Sequence, residues 1–442
     1  MSKYKQLSRN KKYYQLIPLK IIDNIDVIAN TIRPRIKGFN LDCLKETISI
    51  VARHTEKSGK PARLKKQYVI NLVPQGREYL DGLIQAGVLK RSGRYIVGKQ
   101  CYQYEFSDEY KSIYVRELLL NNKLIYRIRR AWDKLREERK AAVRGGNEQV
   151  PWLLKLTIDP GWKTLLTGDA DWDNHILAAA TQIENGEIRY SVDTTSFRFH
   201  SNVTNMSKKM REYIRIDNKQ LLNIDVSNSQ PYLSTILLTD PKKASFLGDP
   251  SLNMLLSKMQ VSKSKDVKRY VSLVSRGQFY EFMQTRFKIN GVDMSRDEAK
   301  KQCFRLLFGS KWARTEIEKQ TRDIFRKAFP NVYRIFNQVK GKNYERFPIL
   351  LQRIESYLML EKVVKTVHEQ HPDIICITIH DSVMTGVMTD EIFAVQKILK
   401  NEFRKFTGIT PKLTYEFKLD KYRSYKKLLD YNTYDGTTSV IN

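Results

Sequence analysis

The sequence predicts an α+β fold in which helices surround an antiparallel sheet, and three observations support this prediction. Residues 377–388, "ITIHDSVMTGVM", place two runs of β-branched and apolar residues on either side of a charged pair, which is typical of a β-hairpin. Residues 295–311, "SRDEAKKQCFRLLFGSK", repeat similar side chains every four positions, which is typical of a helix. With 442 residues, of which 41% are hydrophobic, the chain is long enough for two or three folded domains.

The chain is strongly basic, with a formal net charge of +30. Residues 1–150 contain 32 Lys and Arg against 15 Asp and Glu, so the first third is the most basic part. Such an excess repels itself unless a polyanion neutralises it, and we expect nucleic acid as that partner. A membrane surface is the alternative, but no apolar stretch reaches about 18 residues and no amphipathic anchor or signal core stands out. We expect a protein of the cytoplasm, in a bacterium or a phage-infected host.

The four cysteines are far apart in the chain: Cys43, Cys101, Cys303 and Cys376. They form no C-x-x-C pair, and no His lies at a ligand spacing from them. We therefore expect buried thiols in a reducing compartment and no structural zinc.

A helix followed by a basic hairpin is predicted in the N-terminal region. Residues 76–89, "GREYLDGLIQAGVL", carry apolar residues at helical spacing, and residues 91–107 alternate aromatic and polar side chains about a turn near Gly98. This order is typical of a winged-helix-like nucleic-acid-binding domain. A plain α+β module with a solvated charged face is the alternative.

The next segment reads as helical. Residues 115–143 predict one long basic helix that breaks at residues 144–146, Arg-Gly-Gly. Residues 168–174, "GDADWDN", begin like an ion-binding loop but lack the glycine and the distal glutamate of a calcium site. We therefore interpret Asp173 as the N-cap of the helix that follows.

An acidic residue ends a predicted core strand in "QLLNIDVSNSQPYLSTILL", residues 220–238. Residues 221–224 form a short apolar run that ends at Asp225, and Pro231 then lies near a helix start, where its missing N–H costs nothing. A carboxylate at this position is unfavourable unless something takes its charge. A divalent metal ion would do so.

The predicted helix at 295–311 places two cations and two aromatic rings on one arc. Arg296, Lys300, Phe304 and Phe308 recur at four-residue steps, and four residues at about 100° each bring a side chain back to nearly the same face. Cations at one end and rings at the other suit a ligand with phosphates and a flat base. The alternative is an amphipathic helix that buries both Phe rings and solvates its basic side.

The order strand–Asp–helix, then R-x3-K-x3-F-x3-F-G, then strand–His-Asp–strand resembles motifs A, B and C of the family A DNA polymerases and of the related phage-type single-subunit RNA polymerases. The resemblance covers roughly residues 191–442 and implies a right-hand polymerase with an antiparallel palm sheet and helical fingers and thumb, behind an N-terminal winged-helix-like basic domain. The implied domains are 1–113 (basic, winged-helix-like), 114–190 (thumb-like, helical), 191–250 (palm, motif A), 251–345 (fingers, motif B) and 346–442 (palm, motif C).

The resemblance also implies residue roles in the extension of a primer 3′ end on a template. Asp225 and Asp381 would hold two Mg²⁺ ions, with Mn²⁺ as a possible substitute, and Lys300 would join them in catalysis. The implied nucleoside triphosphate contacts are Arg296, Lys300, Phe304, Phe308 and Gln230. The implied primer–template contacts are Arg198, Asn202, Arg211, Gln352 and His380. Residues after position 408 resemble the closing strand of such palms. The sequence does not reveal whether a processivity or replication partner protein binds, or which one.

Three positions depart from the DNA polymerase pattern. Gln230 replaces a Glu that screens the sugar 2′ position, Phe308 replaces a Tyr, and the hairpin reads His-Asp-Ser as in the RNA enzymes. We expect Gln230 to lie against Phe308 as a gate set by packing alone. The bulk of Gln230 favours a DNA-directed DNA polymerase; a single-subunit RNA polymerase or primase using rNTPs on a DNA template is the alternative.

Other classes explain only part of the pattern. A pure nucleic-acid-binding module accounts for the charge, and a metal-dependent nuclease accounts for the two aspartates, but neither accounts for the helix at 295–311. Residues 1–190 contain no D-x-E motif, so we expect no proofreading nuclease. The small size is typical of phage, plasmid or mobile-element enzymes.

Overall fold

The computed structural model describes residues 12–55, 60–94, 96, 101–142, 145–261, 263–310, 312 and 315–416. Over these residues the protein combines helices with antiparallel sheets, so the predicted α+β class is confirmed. The strands are β1 (Tyr14–Pro18), β2 (Ala62–Leu64), β3 (Leu89–Ser92), β4 (Tyr102–Phe106), β5 (Tyr114–Leu118), β6 (Leu156–Ile158), β7 (Tyr190–Val192), β8 (Phe199–Ser201), β9 (Ile214–Ile216), β10 (Lys219–Val226), β11 (Ile377–Ile379), β12 (Ser382–Gly386) and β13 (Leu413–Glu416).

The helices fall into an N-terminal and a C-terminal set on either side of β10. The first set is α1 (Leu19–Asp23), α2 (Ile25–Ile32), α3 (Leu41–His54), α4 (Lys66–Leu72), α5 (Gly76–Gln85), α6 (Asn122–Ala142), α7 (Val150–Leu154), α8 (Ala170–Asn185), α9 (Asn202–Asn205) and α10 (Lys208–Arg211). The second set is α11 (Ser229–Leu233), α12 (Ile236–Thr239), α13 (Pro250–Lys258), α14 (Lys265–Ser275), α15 (Phe279–Ile289), α16 (Arg296–Phe308), α17 (Glu316–Ala328), α18 (Pro330–Lys340), α19 (Arg346–Ser356), α20 (Lys365–Gln370) and α21 (Thr389–Thr407). A π-helical segment, Tyr357–Val364, joins α19 to α20.

The central sheet has the strand order β11-β12-β10-β9-β6, and β13 also pairs with β10. Every pairing in it is antiparallel. Side chains alternate between the two faces of a strand, so Leu222, Ile224 and Val226 of β10 enter the C-terminal core, whereas Leu221 enters the N-terminal core. Asp225 has the same parity as Leu221 and therefore projects from the face opposite to Ile224.

Two apolar cores meet at this sheet. One contains buried residues from Tyr13 to Ile216 together with a few from β10, β11 and β12. The other contains buried residues from Leu222 to Leu413. The predicted domain boundaries at 113, 190, 250 and 345 stay predictions.

The predicted helix over residues 115–143 is wrong at its beginning. Residues Tyr114–Leu118 form strand β5, which pairs antiparallel with β1, and the helix begins only at Asn122. Pairing with a strand about 100 positions earlier outweighs the local helical pattern. Sequence periodicity alone does not reveal such a pairing. The predicted break is confirmed, because α6 ends at Ala142 and Gly145 and Gly146 both have positive φ angles.

The predicted cap at Asp173 is also wrong. Asp169 is the N-cap of α8, and its Oδ1 accepts a hydrogen bond of 2.7 Å from the backbone N–H of Trp172. Asp173 lies in the first turn of α8 and is buried. Its carboxylate accepts from the backbone N–H groups of Thr167 (2.8 Å) and Gly168 (2.9 Å). Asp173 therefore fixes the loop before the helix.

The predicted helix and hairpin in the N-terminal region are present as α5 followed by β3 and β4, which pair antiparallel. Strand β2 pairs with the other edge of β4. The predicted turn near Gly98 lies outside the described residues. The nucleic-acid role of this region stays a prediction. Within the described part of the chain, no helix combines the length and hydropathy that crossing a membrane requires.

Candidate active site

The hairpin predicted at residues 377–388 is confirmed. Strands β11 and β12 pair antiparallel with Ile379 opposite Ser382, so His380 and Asp381 form the two-residue tip. His380 has φ +54°, a left-handed conformation that is uncommon for residues other than glycine. The tip is therefore a tight turn that presents an acidic side chain beside strand β10.

Asp225 and Asp381 lie side by side on neighbouring strands. Strand β10 pairs with β12 so that Asp225 is opposite Ser382, and the backbone N–H of Val226 donates to the backbone oxygen of Asp381 at 3.3 Å. Burial, and then the charge of Asp381, raises the pKa of Asp225 to about 7. Burial likewise raises the pKa of Asp381. Two partly desolvated carboxylates this close favour a bound cation.

The helix predicted at 295–311 is confirmed as α16. Ser295 caps it, since its Oγ accepts from the N–H of Glu298 at 3.3 Å and the Glu298 carboxylate accepts from the N–H of Ser295 at 2.8 Å. Lys300 is exposed, and its charge lowers the pKa of both Asp225 and Asp381. The cation of α16 therefore faces the acidic pair.

Arg296 begins α16 one turn before Lys300. Its Nε donates to Oε1 of Glu281 at 2.6 Å, and both side chains are about half exposed. The surface ion pair leaves Arg296 accessible, because exposed pairs are worth less than about 1 kcal/mol and exchange readily.

Three aromatic rings lie close to these cations. Phe304 and Phe308 have ring centroids 5.1 Å apart, and Tyr280 of α15 stacks on Phe304 at 6.4 Å. The Nζ of Lys300 lies 5.9 Å from the ring centroids of both Tyr280 and Phe304. Sequence reasoning missed Tyr280, since nothing in its own segment marks it.

A cavity of about 440 Å³ beside Phe304 and Phe308 is lined by aromatic and basic side chains that include Phe304, Arg305, Phe308, Trp312, Arg322 and Tyr344.

Gln230 is 6% exposed, and its amide Nε2 donates to Oε2 of Glu355. The prediction that packing alone sets this side chain is therefore wrong, because a hydrogen bond holds it. Its role as a screen of the sugar 2′ position and its contact with Phe308 stay predictions. Glu355 is 1% exposed and belongs to the last turn of α19. Sequence reasoning missed it, since a single Glu in an amphipathic helix reads as a solvated residue.

Arg198 reaches the same carboxylate. Its Nε lies 2.8 Å and its Nη2 lies 2.6 Å from Oε1 of Glu355. Burial, and then the charge of Asp381, raises the pKa of Glu355 to about 8, although Arg198 opposes this shift. Arg198 therefore lies within the charged surroundings of the acidic pair.

Basic side chains gather around the hairpin tip. Burial lowers the pKa of His380 to about 4, and the charges of Arg198, His200 and Arg211 act in the same direction. The rings of His200 and His380 have centroids 5.9 Å apart. Arg198, Arg211 and His380, three of the predicted nucleic-acid contacts, thus lie together, and His200 is an addition that the sequence did not single out.

The nucleic-acid contact predicted for Asn202 is not supported. Its side chain is 4% exposed and bonds inside the protein, accepting from the N–H of Arg189 (2.6 Å) and donating to Oε1 of Gln182 (3.0 Å) and to the backbone oxygen of Glu187 (3.0 Å). Asn202 therefore joins helix α9 to helix α8 and to the residues that follow α8. Gln352 is half-buried on α19, one turn before Glu355, and its predicted duplex contact stays a prediction.

No protein-family model matches the chain, and no curated protein sequence matches it. Among solved structures, the chain is similar to the POL domain of Pol1 from M. smegmatis, in complex with a DNA primer-template and dNTP. The two are 9% identical, the match covers 93% of this chain and 67% of that chain, and the TM-score is 0.27. An overlap this loose assigns neither a fold nor a function.

Proposed function

We propose that this protein is a template-directed nucleotidyl transferase that extends a primer 3′ end with deoxynucleoside triphosphates and has no proofreading nuclease. One observation carries the proposal. Asp225 and Asp381 are partly buried side by side on adjacent antiparallel strands, and Lys300 of a separate helix faces both of them. Nucleotidyl transfer requires in-line positioning and charge neutralisation, and the acidic pair with its bound ions, together with Lys300, would supply the neutralisation.

The donor set fits Mg²⁺. The described residues contain no group of three or more His, Cys, Asp or Glu side chains that could enclose a metal ion. A pair of carboxylates instead suits an ion that completes its coordination with water and substrate phosphates. Two Mg²⁺ ions at Asp225 and Asp381, or Mn²⁺ in their place, would supply the charge that lowers the pKa of a primer 3′-hydroxyl and neutralises the phosphates.

The side chains of α16 would bind the nucleotide. Lys300 has its ammonium group 5.9 Å from the ring centroids of Tyr280 and Phe304, and it would neutralise charge on the departing pyrophosphate. Arg296 would exchange Glu281 for a phosphate oxygen. Phe304, and Tyr280 stacked on it, offer flat surfaces for the base.

The basic cluster at the hairpin tip would bind the primer–template. Arg198, Arg211 and His200 lie around His380 at the hairpin tip, and phosphate oxygens would neutralise the charges of the two arginines. The basic N-terminal region, residues 1–113, would add sequence-independent affinity for the template.

A primer-extension assay tests the proposal against its rivals. The protein is incubated with a primed DNA template, Mg²⁺ and either labelled dNTPs or labelled rNTPs. We expect extension, faster with dNTPs. Faster extension with rNTPs favours the RNA polymerase or primase alternative, cleavage of the template indicates a nuclease, and binding without either reaction indicates a nucleic-acid-binding module.

A further inference from the structure

We infer that Glu355 is a positioning residue that sets the sugar preference of the proposed polymerase. Its buried carboxylate holds Gln230, the proposed screen of the 2′ position, and Arg198, a proposed primer contact, at the same time. The inference rests on the proposed function. Glu355 belongs neither to the acidic pair nor to helix α16.

The contacts of Glu355 divide between its two oxygens. Oε2 accepts from the amide of Gln230, and Oε1 accepts from Nε and Nη2 of Arg198. At 1% exposure, the carboxylate has little access to water. A buried carboxylate is unfavourable without donors. The Glu355 carboxylate therefore needs both donors, and it holds the side chains of Gln230 and Arg198 in place.

The backbone around Glu355 is fixed to the segment that carries Arg198. Ser356 donates from Oγ to the backbone oxygen of Ser196 at 2.9 Å, and Arg353 donates from Nε to the backbone oxygen of Thr195 at 2.7 Å. Two neighbours of Glu355 therefore bond to residues just before Arg198. The π-helical segment begins directly after Ser356, and such segments occur frequently at functional sites.

The consequence for sugar selection follows from the freedom of the Gln230 side chain. A glutamine has several rotamers, and a hydrogen bond to a fixed acceptor selects one of them. With Glu355 in place, Gln230 keeps its bulk at one position. Without it, the side chain can turn away and admit a 2′-hydroxyl.

The test compares the insertion of one dNTP and the matching rNTP on the same primed template, measured as kcat/KM. The variants are Glu355→Met, Gln230→Met and the double variant. Gln230→Met keeps the bulk but cannot donate to Glu355. We expect each single variant to lower the dNTP-to-rNTP ratio by about tenfold, and the double variant to lower it no further, because both changes break one interaction.

Glu391→Gln is the matched control. Glu391 is another buried carboxylate, on α21, and it pairs with Lys219 at 2.7 Å on the same sheet. Its replacement removes an ion pair whose lysine is exposed, at the opposite end of β10 from Asp225, and should leave the sugar ratio unchanged. A purely structural role of Glu355 would slow both insertions equally and would also leave the ratio unchanged.

Several results overturn the inference. An unchanged ratio in Glu355→Met, or a ratio in the double variant equal to the product of the single effects, contradicts it while wild-type extension keeps the proposed function intact. If Glu355→Met does not fold, Gln230→Met decides alone, since it breaks the same hydrogen bond from the other side. A wild type that extends no primer overturns both the proposed function and the inference.

Discussion

The central residues of the proposed site are two carboxylates that repel each other. Asp225 and Asp381 are brought together by the register of β10 and β12, and burial weakens the screening between them. A folded protein that keeps such a pair gives up stability for function. Lys300 offsets part of the repulsion by lowering the pKa of both aspartates, and Arg198 also lowers the pKa of Asp381.

The repulsion predicts a response to metal removal. In a chelator, Asp225→Asn or Asp381→Asn should melt at a higher temperature than the wild type, since one of two repelling charges is gone. Magnesium should raise the melting temperature of the wild type by a few degrees and have little effect on either variant, because a ligand that binds only the folded state stabilises it.

Asp217→Asn is the matched control for this thermal measurement. Asp217 lies in the turn between β9 and β10 and makes a partly exposed ion pair with Lys155. It should keep the wild-type response to magnesium. An equal magnesium shift in the wild type and in Asp381→Asn would show that the ions bind elsewhere.

The exposed cation Lys300 gives a prediction about nucleotide use. Lys300→Ala should lower kcat/KM for the nucleotide by about 10–150-fold, which corresponds to the loss of one charge-assisted contact of about 1.5–3 kcal/mol. Arg296→Ala should act mainly on KM. Lys301→Ala, one position further along α16 and also exposed, is the control. Wild-type kinetics for Lys300→Ala would reduce α16 to a structural helix.

Among the elements, the sequence predicted those whose pattern is local. The hairpin at 377–388 and helix α16 each carry their own periodicity, and both are confirmed. Strand β5 was missed because its partner, β1, lies about 100 positions earlier. Glu355 was missed for the same reason, since its partners Gln230 and Arg198 are distant in the chain.

The hairpin of β3 and β4 gives a prediction about nucleic acid. Arg91 and Arg94 are exposed at the end of β3. If this region binds phosphates, Arg91→Ala and Arg94→Ala should each weaken template binding and reduce the slope of log K against log[salt] by about one. Lys365→Ala, exposed on α20, is the control. An unchanged slope would assign the hairpin to a structural role or a protein partner.

The whole molecule is held together by contacts between distant segments. Buried residues from Tyr13 to Ile216 pack as one cluster, which extends across position 113. Arg53 of α3 bonds to Glu46 and to Glu187, both at 2.8 Å, with all three side chains fully buried. The sequence could not reveal this packing, because hydrophobic patterning reports burial but not which segments pack together. The boundary expected at 113 stays a prediction.

The buried ion pair predicts a pH dependence of stability. Burial alone would raise the pKa of Glu187, but Arg53 and the other basic groups around this carboxylate lower its pKa to about 2. The stabilisation from a lowered carboxyl pKa is complete above the unfolded value of about 4.5 and is lost as the pH falls toward 2. Glu187→Gln should therefore be less stable than the wild type at pH 6, and the difference should shrink below pH about 4.5.

Urea denaturation at a series of pH values measures this difference. The groups that face Glu187 are Arg53, His54, Tyr68 and Arg189. Glu138→Gln removes an exposed partner of Lys134 and should show no such dependence. A gap between wild type and Glu187→Gln that stays constant down to pH 2 would contradict the account of the network.

Primer extension by Asp381→Asn tests the central claim most directly. The substitution removes one carboxylate and keeps the shape of the hairpin tip, and template affinity is measured in parallel by a binding titration. We predict that extension falls below a few per cent of the wild-type rate while template affinity changes little, and that Asp225→Asn behaves in the same way. Extension by either variant at more than a few per cent of the wild-type rate would contradict the assignment of this acidic pair as the catalytic centre.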